Sequence, residues 1–270
     1  MENREDLELA INKSKILRGD PIVINEKITL RQPTINEIID FDEDKFFGIF
    51  WSMCSSAYDR PSMFDDMGVD FMTVSDWQYF LSMVQVMDKE STKLIFGDFD
   101  FTEFTLQKRV NEREELEYVL YRESDGYIFD ESVYNEVIPY VREMVNFHHS
   151  GKKAANKSTA KLLIMDDRRA RDSNKNKEPE SMLDGILISL VNTEEFSYTY
   201  KNVYEITIYQ LMKSFTQICG KKSAVALMQG SMSGFMDTSG IDSKAFDWTY
   251  SEEKYKPKGR KLITKTVKKK

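Results

Sequence analysis

Cysteine and histidine are almost absent from this chain of 270 residues, which contains two of each. Two cysteines exclude a disulfide framework, and the four residues together could hold a zinc ion only if all of them converged. Glycine and proline are also scarce: 12 and 6 residues make about 7% of the chain, against about 12% in ordinary proteins. This scarcity disfavours a turn-rich β-sandwich and favours long helices with few connections.

No segment resembles a signal peptide or a membrane span. Residues 1–6 are acidic and polar, whereas a signal peptide begins with basic residues and continues with an apolar stretch. The longest apolar run, residues 185–191, is far shorter than the roughly 18 residues that cross a bilayer. We therefore expect a cytoplasmic protein with no membrane partner.

Helix and strand signals alternate in the first part of the chain. Two β-branched runs on either side of Asn25 predict a short hairpin. Thr34 and Glu37 have the spacing of a capping box, in which each side chain binds an amide at the helix start. Apolar residues then recur at helical intervals. These patterns predict a polar helix or arm at residues 3–17 and further helices over residues 34–41, 43–57 and 75–88.

The apolar period then changes to two, which predicts a small antiparallel sheet over residues 93–130. Asp125 and Gly126 form its hairpin turn in this interpretation, because the pair tolerates positive φ. Residues 131–147 return to helical spacing, with Pro139 opening a second segment or kinking the first. Another helix is predicted over residues 158–171.

Residues 172–179 have no apolar side chain, so burial cannot offset the entropy of ordering them, and a linker is predicted there. Three apolar stripes follow, and Gly220 is the predicted C-cap of the second. The chain is thus predicted to be α+β and predominantly helical, with a small antiparallel sheet in the N-terminal half and a helical C-terminal half. The predicted parts are an arm (1–18), an α+β domain (19–171), a linker (172–180), a helical domain (181–250) and a basic flexible tail (251–270).

The C-terminal tail is opposite in charge to the rest of the chain. Residues 251–270 contain nine basic and two acidic residues, a net charge of +7; since the whole chain carries −7, residues 1–250 carry −14. Such a tail is usually extended and solvated. It could also bind nucleic acid, or an acidic surface on this chain or on a neighbouring copy. Nucleic acid is disfavoured because the acidic body repels phosphate and no reader motif accompanies the tail. The candidate electrostatic contacts are Lys256, Lys258, Arg260, Lys261, Lys268, Lys269 and Lys270.

Catalytic and metal-binding patterns give no candidate site. Residues 230–234 (Gly-Ser-Met-Ser-Gly) have methionine where a nucleophile elbow requires serine. His148 and His149 are adjacent and therefore cannot chelate a metal as an i, i+4 pair, and the carboxylates of residues 65–70 lack the spacing of a calcium loop. We accordingly predict a non-enzymatic protein with no catalytic residue, metal or cofactor.

Adaptable apolar side chains are abundant, with 14 Met, 17 Phe, 13 Tyr and 3 Trp. Methionine is unbranched and polarisable, so it repacks readily around different partners. Most of these side chains are expected to fill the core. One Met-rich stripe, however, is a candidate groove for a partner helix. It consists of Met228, Met232, Phe235 and Met236.

Residues 27–39 (Lys-Ile-Thr-Leu-Arg-Gln-Pro-Thr-Ile-Asn-Glu-Ile-Ile) resemble the start of bacteriophage tail-assembly chaperones, in which a short strand ends in a Pro-Thr turn and enters the first helix. Residues 44–47 (Asp-Lys-Phe-Phe) and 230–235 (Gly-Ser-Met-Ser-Gly-Phe) are similar to segments of uncharacterised phage and prophage proteins of Gram-positive bacteria. Together these motifs cover about 30 residues.

This resemblance implies a non-enzymatic chaperone that keeps the long helical tape-measure protein soluble while the tail tube assembles, in the cytoplasm of the host cell. The chain is longer than is usual for that family and has an extra helical C-terminal region. A structural protein of the tail, neck or baseplate, located in the virion, is therefore the alternative. The implied partner is the tape-measure protein or another tail protein, and self-association stays open.

Overall fold

The structure, a computed structural model, describes residues 14–84, 87–110, 114, 116–149, 154–174, 181–233, 240–247 and 249. Its strands are β1 (Ile22–Val23), β2 (Thr29–Leu30), β3 (Phe104–Val110), β4 (Leu116–Arg122) and β5 (Tyr127–Phe129). Its α-helices are α1 (Ile35–Phe41), α2 (Glu43–Cys54), α3 (Pro61–Asp66), α4 (Asp76–Val84), α5 (Lys89–Phe96), α6 (Glu131–Met144), α7 (Lys157–Asn174), α8 (Met182–Val191) and α9 (Ile208–Met232). The protein is therefore α+β and mostly helical, as the sequence predicts.

The N-terminal hairpin and the capping box are both confirmed. Strands β1 and β2 pair antiparallel, and the Asn25 side chain accepts a hydrogen bond from the Ile28 amide at 3.0 Å within their turn. The Thr34 hydroxyl accepts a hydrogen bond from the Glu37 amide at 3.2 Å, and the Glu37 carboxylate accepts one from the Thr34 amide at 2.9 Å. Helix α1 therefore begins where these two residues satisfy its end amides. Helix α2 follows as predicted but ends three residues early, at Cys54.

Helix α5 occupies the beginning of the region that was predicted to be sheet. The Asp88 carboxylate caps the helix by accepting a hydrogen bond from the Ser91 amide at 2.7 Å, and Gly97 ends it with a φ of +61°. The sheet prediction was therefore wrong for residues 93–96, and the first strand of this sheet, β3, starts at Phe104. Of the helix predicted at residues 75–88, α4 covers Asp76–Val84, residues 85 and 86 lie outside the described residues, and residues 87 and 88 are not helical.

Strands β3, β4 and β5 form an antiparallel sheet in that order, and the predicted turn joins the last two. Gly126 has a φ of +71°, as a turn of this kind requires. The Asp125 carboxylate accepts a hydrogen bond from the Tyr127 amide at 3.2 Å. The local turn signal therefore identified this hairpin correctly.

Stacked aromatic rings hold the sheet against the helices. The rings of Trp77 and Phe80 on α4 lie 6.1 and 5.7 Å from the ring of Phe129 on β5. Phe101, in the turn before β3, has its centroid 5.7 Å from that of Phe129. Phe80 and Phe129 are almost fully buried, so this cluster is the part of the core that positions the sheet.

The chain forms two compact units, Met1–Leu211 and Met212–Lys270. Helix α8 belongs to the first, where the Glu43 carboxylate of α2 accepts hydrogen bonds from the Leu183 amide at 2.9 Å and the Ser181 hydroxyl at 2.6 Å. Contacts of this kind group residues 181–211 with the N-terminal part of the chain, whereas the sequence places them in a separate helical domain. The second unit contains α9 from Met212 onward and a 3₁₀ turn at Ser243–Phe246.

Two other boundaries differ from the sequence prediction. Helix α7 continues to Asn174, through the first residues of the predicted linker at 172–180, and the rest of that linker lies outside the described residues. Helix α9 passes through Gly220 without interruption, so the predicted C-cap was wrong. Of the predicted N-terminal arm, the structure describes residues 14–18, which are helical and include the buried Ile16. Within the described part of the chain, no helix has both the length and the apolar character needed to cross a membrane.

Candidate functional site

The hairpin of β3 and β4 presents a row of apolar side chains to solvent. Leu106, Val110, Leu116 and Tyr118 are 42–74% exposed, and we call these four residues the hairpin face. Val110 lies directly opposite Leu116, and Lys108 lies opposite Tyr118. Since opposed residues and alternate residues of a strand share one side of a sheet, the four side chains lie together. Large apolar groups are ordinarily scattered over a protein surface, so a contiguous row indicates a binding surface.

The same side of the sheet enters the core at its other end. Leu120, which continues the row along β4, is opposite Leu106 on β3 and Phe129 on β5. Leu120 and Phe129 are buried against the aromatic cluster, whereas the described residues leave the hairpin face exposed. The alternation of apolar residues therefore extends beyond the part of the sheet that the core covers.

The opposite side and the backbone of the hairpin are firmly attached to the rest of the unit. The Trp77 indole N–H donates a hydrogen bond to the Tyr118 carbonyl at 3.1 Å. The Arg109 guanidinium donates to the Glu117 carboxylate and, at 2.8 Å, to the Asp130 carboxylate. Hydrogen bonding to Glu117 raises the pKa of Arg109, so these contacts stabilise its charged form. The hairpin face is therefore held out by a fixed scaffold, as preorganised binding requires.

The Lys108 side chain lies among those of the hairpin face. The Lys108 ammonium is 5.1 Å from the centroid of the Tyr118 ring, within the range of a cation–π interaction. Its alkyl stem thus covers apolar surface while its charge stays in water. A ligand of this surface would be mainly apolar, with room for an acidic group at the rim.

A second exposed apolar patch lies beside helix α8. Ile188, Tyr198 and Tyr200 are all exposed, and we call them the Ile188 patch. The Asn192 amide donates hydrogen bonds to the Ile188 carbonyl at 2.8 Å and to the Tyr200 hydroxyl at 3.1 Å, which holds the patch together. Aromatic groups with a polar end are common at protein interfaces.

The structure describes part of the predicted Met-rich stripe. Met228 is half-buried on α9, and Met232, one helical turn later, is 86% exposed. Phe235 and Met236 lie outside the described residues, so the groove predicted from all four side chains stays a prediction. The basic tail lies outside them as well, with every predicted contact residue from Lys256 to Lys270.

A cleft of about 550 Å³ is lined by residues from α2, α3 and α7 and by His148. Its charged groups bind other groups of the protein. Asp59 is 2.7 Å from His149, Asp167 accepts a hydrogen bond from the Ser62 amide at 2.9 Å, and Arg171 donates to Asp66 at 2.9 Å. Nowhere in the described ranges do three potential metal-ligating side chains come together. The last two of these contacts fasten α7 to α3, and we assign no chemistry to the cleft.

The thiol of Cys54 lies in the core, where it has a packing role. Cys54 is fully buried at the end of α2, where burial raises the pKa of its thiol to about 12. A neutral buried thiol is a poor nucleophile, so Cys54 acts as a small apolar side chain.

Residues 174–252 match the family described as YomV second domain. That family is associated with phages and prophages, so this segment is similar to a phage protein. The matched segment includes the Ile188 patch, Met228, Met232 and the Gly-Ser-Met-Ser-Gly-Phe motif, but not the hairpin face or residues 27–39. Neither a curated protein nor a solved structure was found to match the chain.

Proposed function

We propose that this protein is a non-enzymatic chaperone of phage tail assembly that binds apolar helices of the tape-measure protein and keeps them soluble. The hairpin face is the observation that carries the proposal. The phage-associated match at residues 174–252 supports the phage context. The finer assignment to tail assembly rests on the resemblance of residues 27–39.

The dimensions of the hairpin face suit a helical ligand. Leu106 and Val110 are four residues apart on β3, a separation of about 13 Å in an extended strand. An apolar stripe of about nine helical residues has the same length, at 1.5 Å per residue. Leu116 and Tyr118 widen the surface to two strands, so a helix lying along the hairpin would contact both rows.

The charge of the body fits a protein that must expose apolar surface without aggregating. Residues 1–250 carry a net charge of −14, and self-repulsion of this size opposes nonspecific aggregation. An apolar helix bound at the hairpin face would share that protection. The exposed Met232 offers a further adaptable contact on the second unit.

Co-expression with helical fragments of the tape-measure protein of the same phage tests this proposal. The wild-type chain should raise the soluble fraction of the fragments. Leu116→Lys should abolish the effect, because it places a charge within the hairpin face. Leu162→Lys is the matched control: Leu162 is similarly exposed on α7, outside that face, and its replacement should leave the effect intact.

Failure of the wild-type chain to solubilise the fragments, or full activity of Leu116→Lys, would contradict the proposal. Mass spectrometry of purified virions separates it from the structural alternative. A chaperone should be absent from mature particles, whereas a protein of the tail, neck or baseplate should be present in them in fixed ratio to other subunits.

A further inference from the structure

Strand β3 is one of the two outer strands of its sheet. The main-chain hydrogen bonds of β4 show which N–H and C=O groups of β3 point away from the sheet. The Tyr121 carbonyl accepts a hydrogen bond from the Thr105 hydroxyl at 3.3 Å, so it points toward β3. The Tyr118 carbonyl accepts from the Trp77 indole and the Arg122 carbonyl accepts from the Gly126 amide at 3.0 Å, so both point away from β3. Main-chain groups of alternate residues face opposite sides of a strand. The odd-numbered residues of β4 therefore form the ladder with β3.

The even-numbered residues of β3 must then direct their N–H and C=O groups outward. Leu106, Lys108 and Val110 are the partners of even-numbered residues on β4, and their outward groups bind no main-chain group among the residues described. A strand of seven residues with such an edge is a template for another strand.

The charged side chains of β3 do not block this edge. Proteins commonly protect an outer strand with a lysine that projects over it. Here the Lys108 ammonium lies over the Tyr118 ring of β4, and Arg109 binds Glu117 of β4 and Asp130. Both cations are thus drawn inward, toward the sheet, and the outer edge stays accessible.

We propose that β3 pairs antiparallel with β3 of a second copy of this chain, about a two-fold axis at Gln107, to give a six-stranded sheet. In this register Phe104 faces Val110 of the second copy, and Leu106 faces its Lys108. Both pairs consist of residues whose main-chain groups point outward, so each pair exchanges two hydrogen bonds. Thr105 faces Arg109 of the second copy, and no two like charges are opposed.

Other registers are less favourable for physical reasons. A shift by one residue would place the apolar side of one copy beside the polar side of the other. Centring the axis on Lys108 would oppose two lysines, and centring it on Leu106 would pair only five of the seven residues of each strand. The complementarity of β3 to itself favours a second copy over an unrelated extended peptide.

Two kinds of variant test the pairing by sedimentation of the full chain over a wide concentration range. The wild-type protein should show a monomer–dimer equilibrium. Leu106→Pro removes an outward N–H while leaving the ladder to β4 intact, so it should abolish dimers without unfolding the protein. Circular dichroism and thermal unfolding would confirm that the variant remains folded.

Charge variants at the proposed axis test the register. Gln107→Glu and Gln107→Lys each oppose like charges and should weaken the dimer about fivefold at low salt, whereas an equimolar mixture of the two should restore it. Thr105→Glu, a matched control on the same side of β3, faces Arg109 of the second copy and should retain the dimer. A wild-type monomer at every concentration would overturn the proposal. So would a dimer that Leu106→Pro leaves intact, or separate charge variants that the mixture fails to rescue.

Discussion

The indole N–H of Trp77 donates a hydrogen bond to the main-chain carbonyl of Tyr118 at 3.1 Å. This contact joins helix α4 to strand β4 at the position where the sheet leaves the core. Trp77 is buried against Phe80 and Phe129, whereas the Tyr118 side chain belongs to the exposed hairpin face. One hydrogen bond thus links the aromatic core to the candidate binding surface.

Trp77→Phe should destabilise the protein and loosen the hairpin. The substitution leaves the Tyr118 carbonyl without its donor and reduces buried volume, a combined cost of about 2 kcal/mol in the free energy of unfolding. Urea denaturation measures this cost, and hydrogen exchange should show faster exchange of the β4 amides.

Trp51→Phe is the matched control for this prediction. The Trp51 indole nitrogen is buried and has no hydrogen-bond partner among the described residues, so phenylalanine removes an unsatisfied donor there. We expect Trp51→Phe to cost at least about 1 kcal/mol less than Trp77→Phe. Equal losses in the two variants would show that the Trp77–Tyr118 hydrogen bond contributes nothing measurable.

Acid should weaken the turn between β4 and β5 through Asp125. Its carboxylate accepts two hydrogen bonds from Arg122, both at 2.9 Å, and is 2.9 Å from the Lys27 ammonium. Hydrogen bonding to Arg122, followed by that to Lys27, holds the pKa of Asp125 well below its usual range. Since the pKa is lower in the folded state, the stabilisation is complete above the unfolded pKa and is lost as the pH falls toward the folded one.

Asp125→Asn should therefore be less stable than the wild type at neutral pH, and the difference should shrink as the pH falls from about 5 to about 3. Urea denaturation at several pH values measures this trend. Asp98→Asn serves as the control, because the Asp98 side chain is fully exposed and its nearest cation, Lys89, is 4.0 Å away. A difference between wild type and Asp125→Asn that stays constant with pH would refute the role of the charged pair.

The sequence predicted correctly those helix starts and turns that are determined by interactions between residues close together in the chain. The capping box of Thr34 and Glu37 and the Asp125-Gly126 turn each act within a few residues, and both occur as predicted. The contact between Glu43 and Leu183 joins residues 140 positions apart, and no local pattern indicates it. The placement of α8 with the N-terminal unit was missed for this reason.

The candidate site was only half predictable. Alternation predicted a sheet that includes Leu106, Leu116 and Tyr118, whereas the register that places them on one side comes from the structure. It did not show whether another element covers that side, because coverage depends on where the helices pack in three dimensions. Leu120 is buried whereas Tyr118, two residues earlier on the same side, is exposed, and that boundary appears only in the structure.

The sequence also did not show which glycines end helices. Gly220 was expected to end a helix, yet it lies inside α9, whereas Gly97 ends α5 with a φ of +61°. Apart from its chain neighbours and the backbone of its own helix, no atom of the described residues comes within 4 Å of a Cβ built on Gly220. Gly220→Ala should therefore raise the free energy of unfolding by about 0.5–1 kcal/mol, because alanine loses less backbone entropy in a helix. Gly97→Ala should lower it by about 1–2 kcal/mol, because alanine is strained at positive φ. Thermal and urea unfolding of the two variants would decide: destabilisation by Gly220→Ala would contradict the prediction for this position.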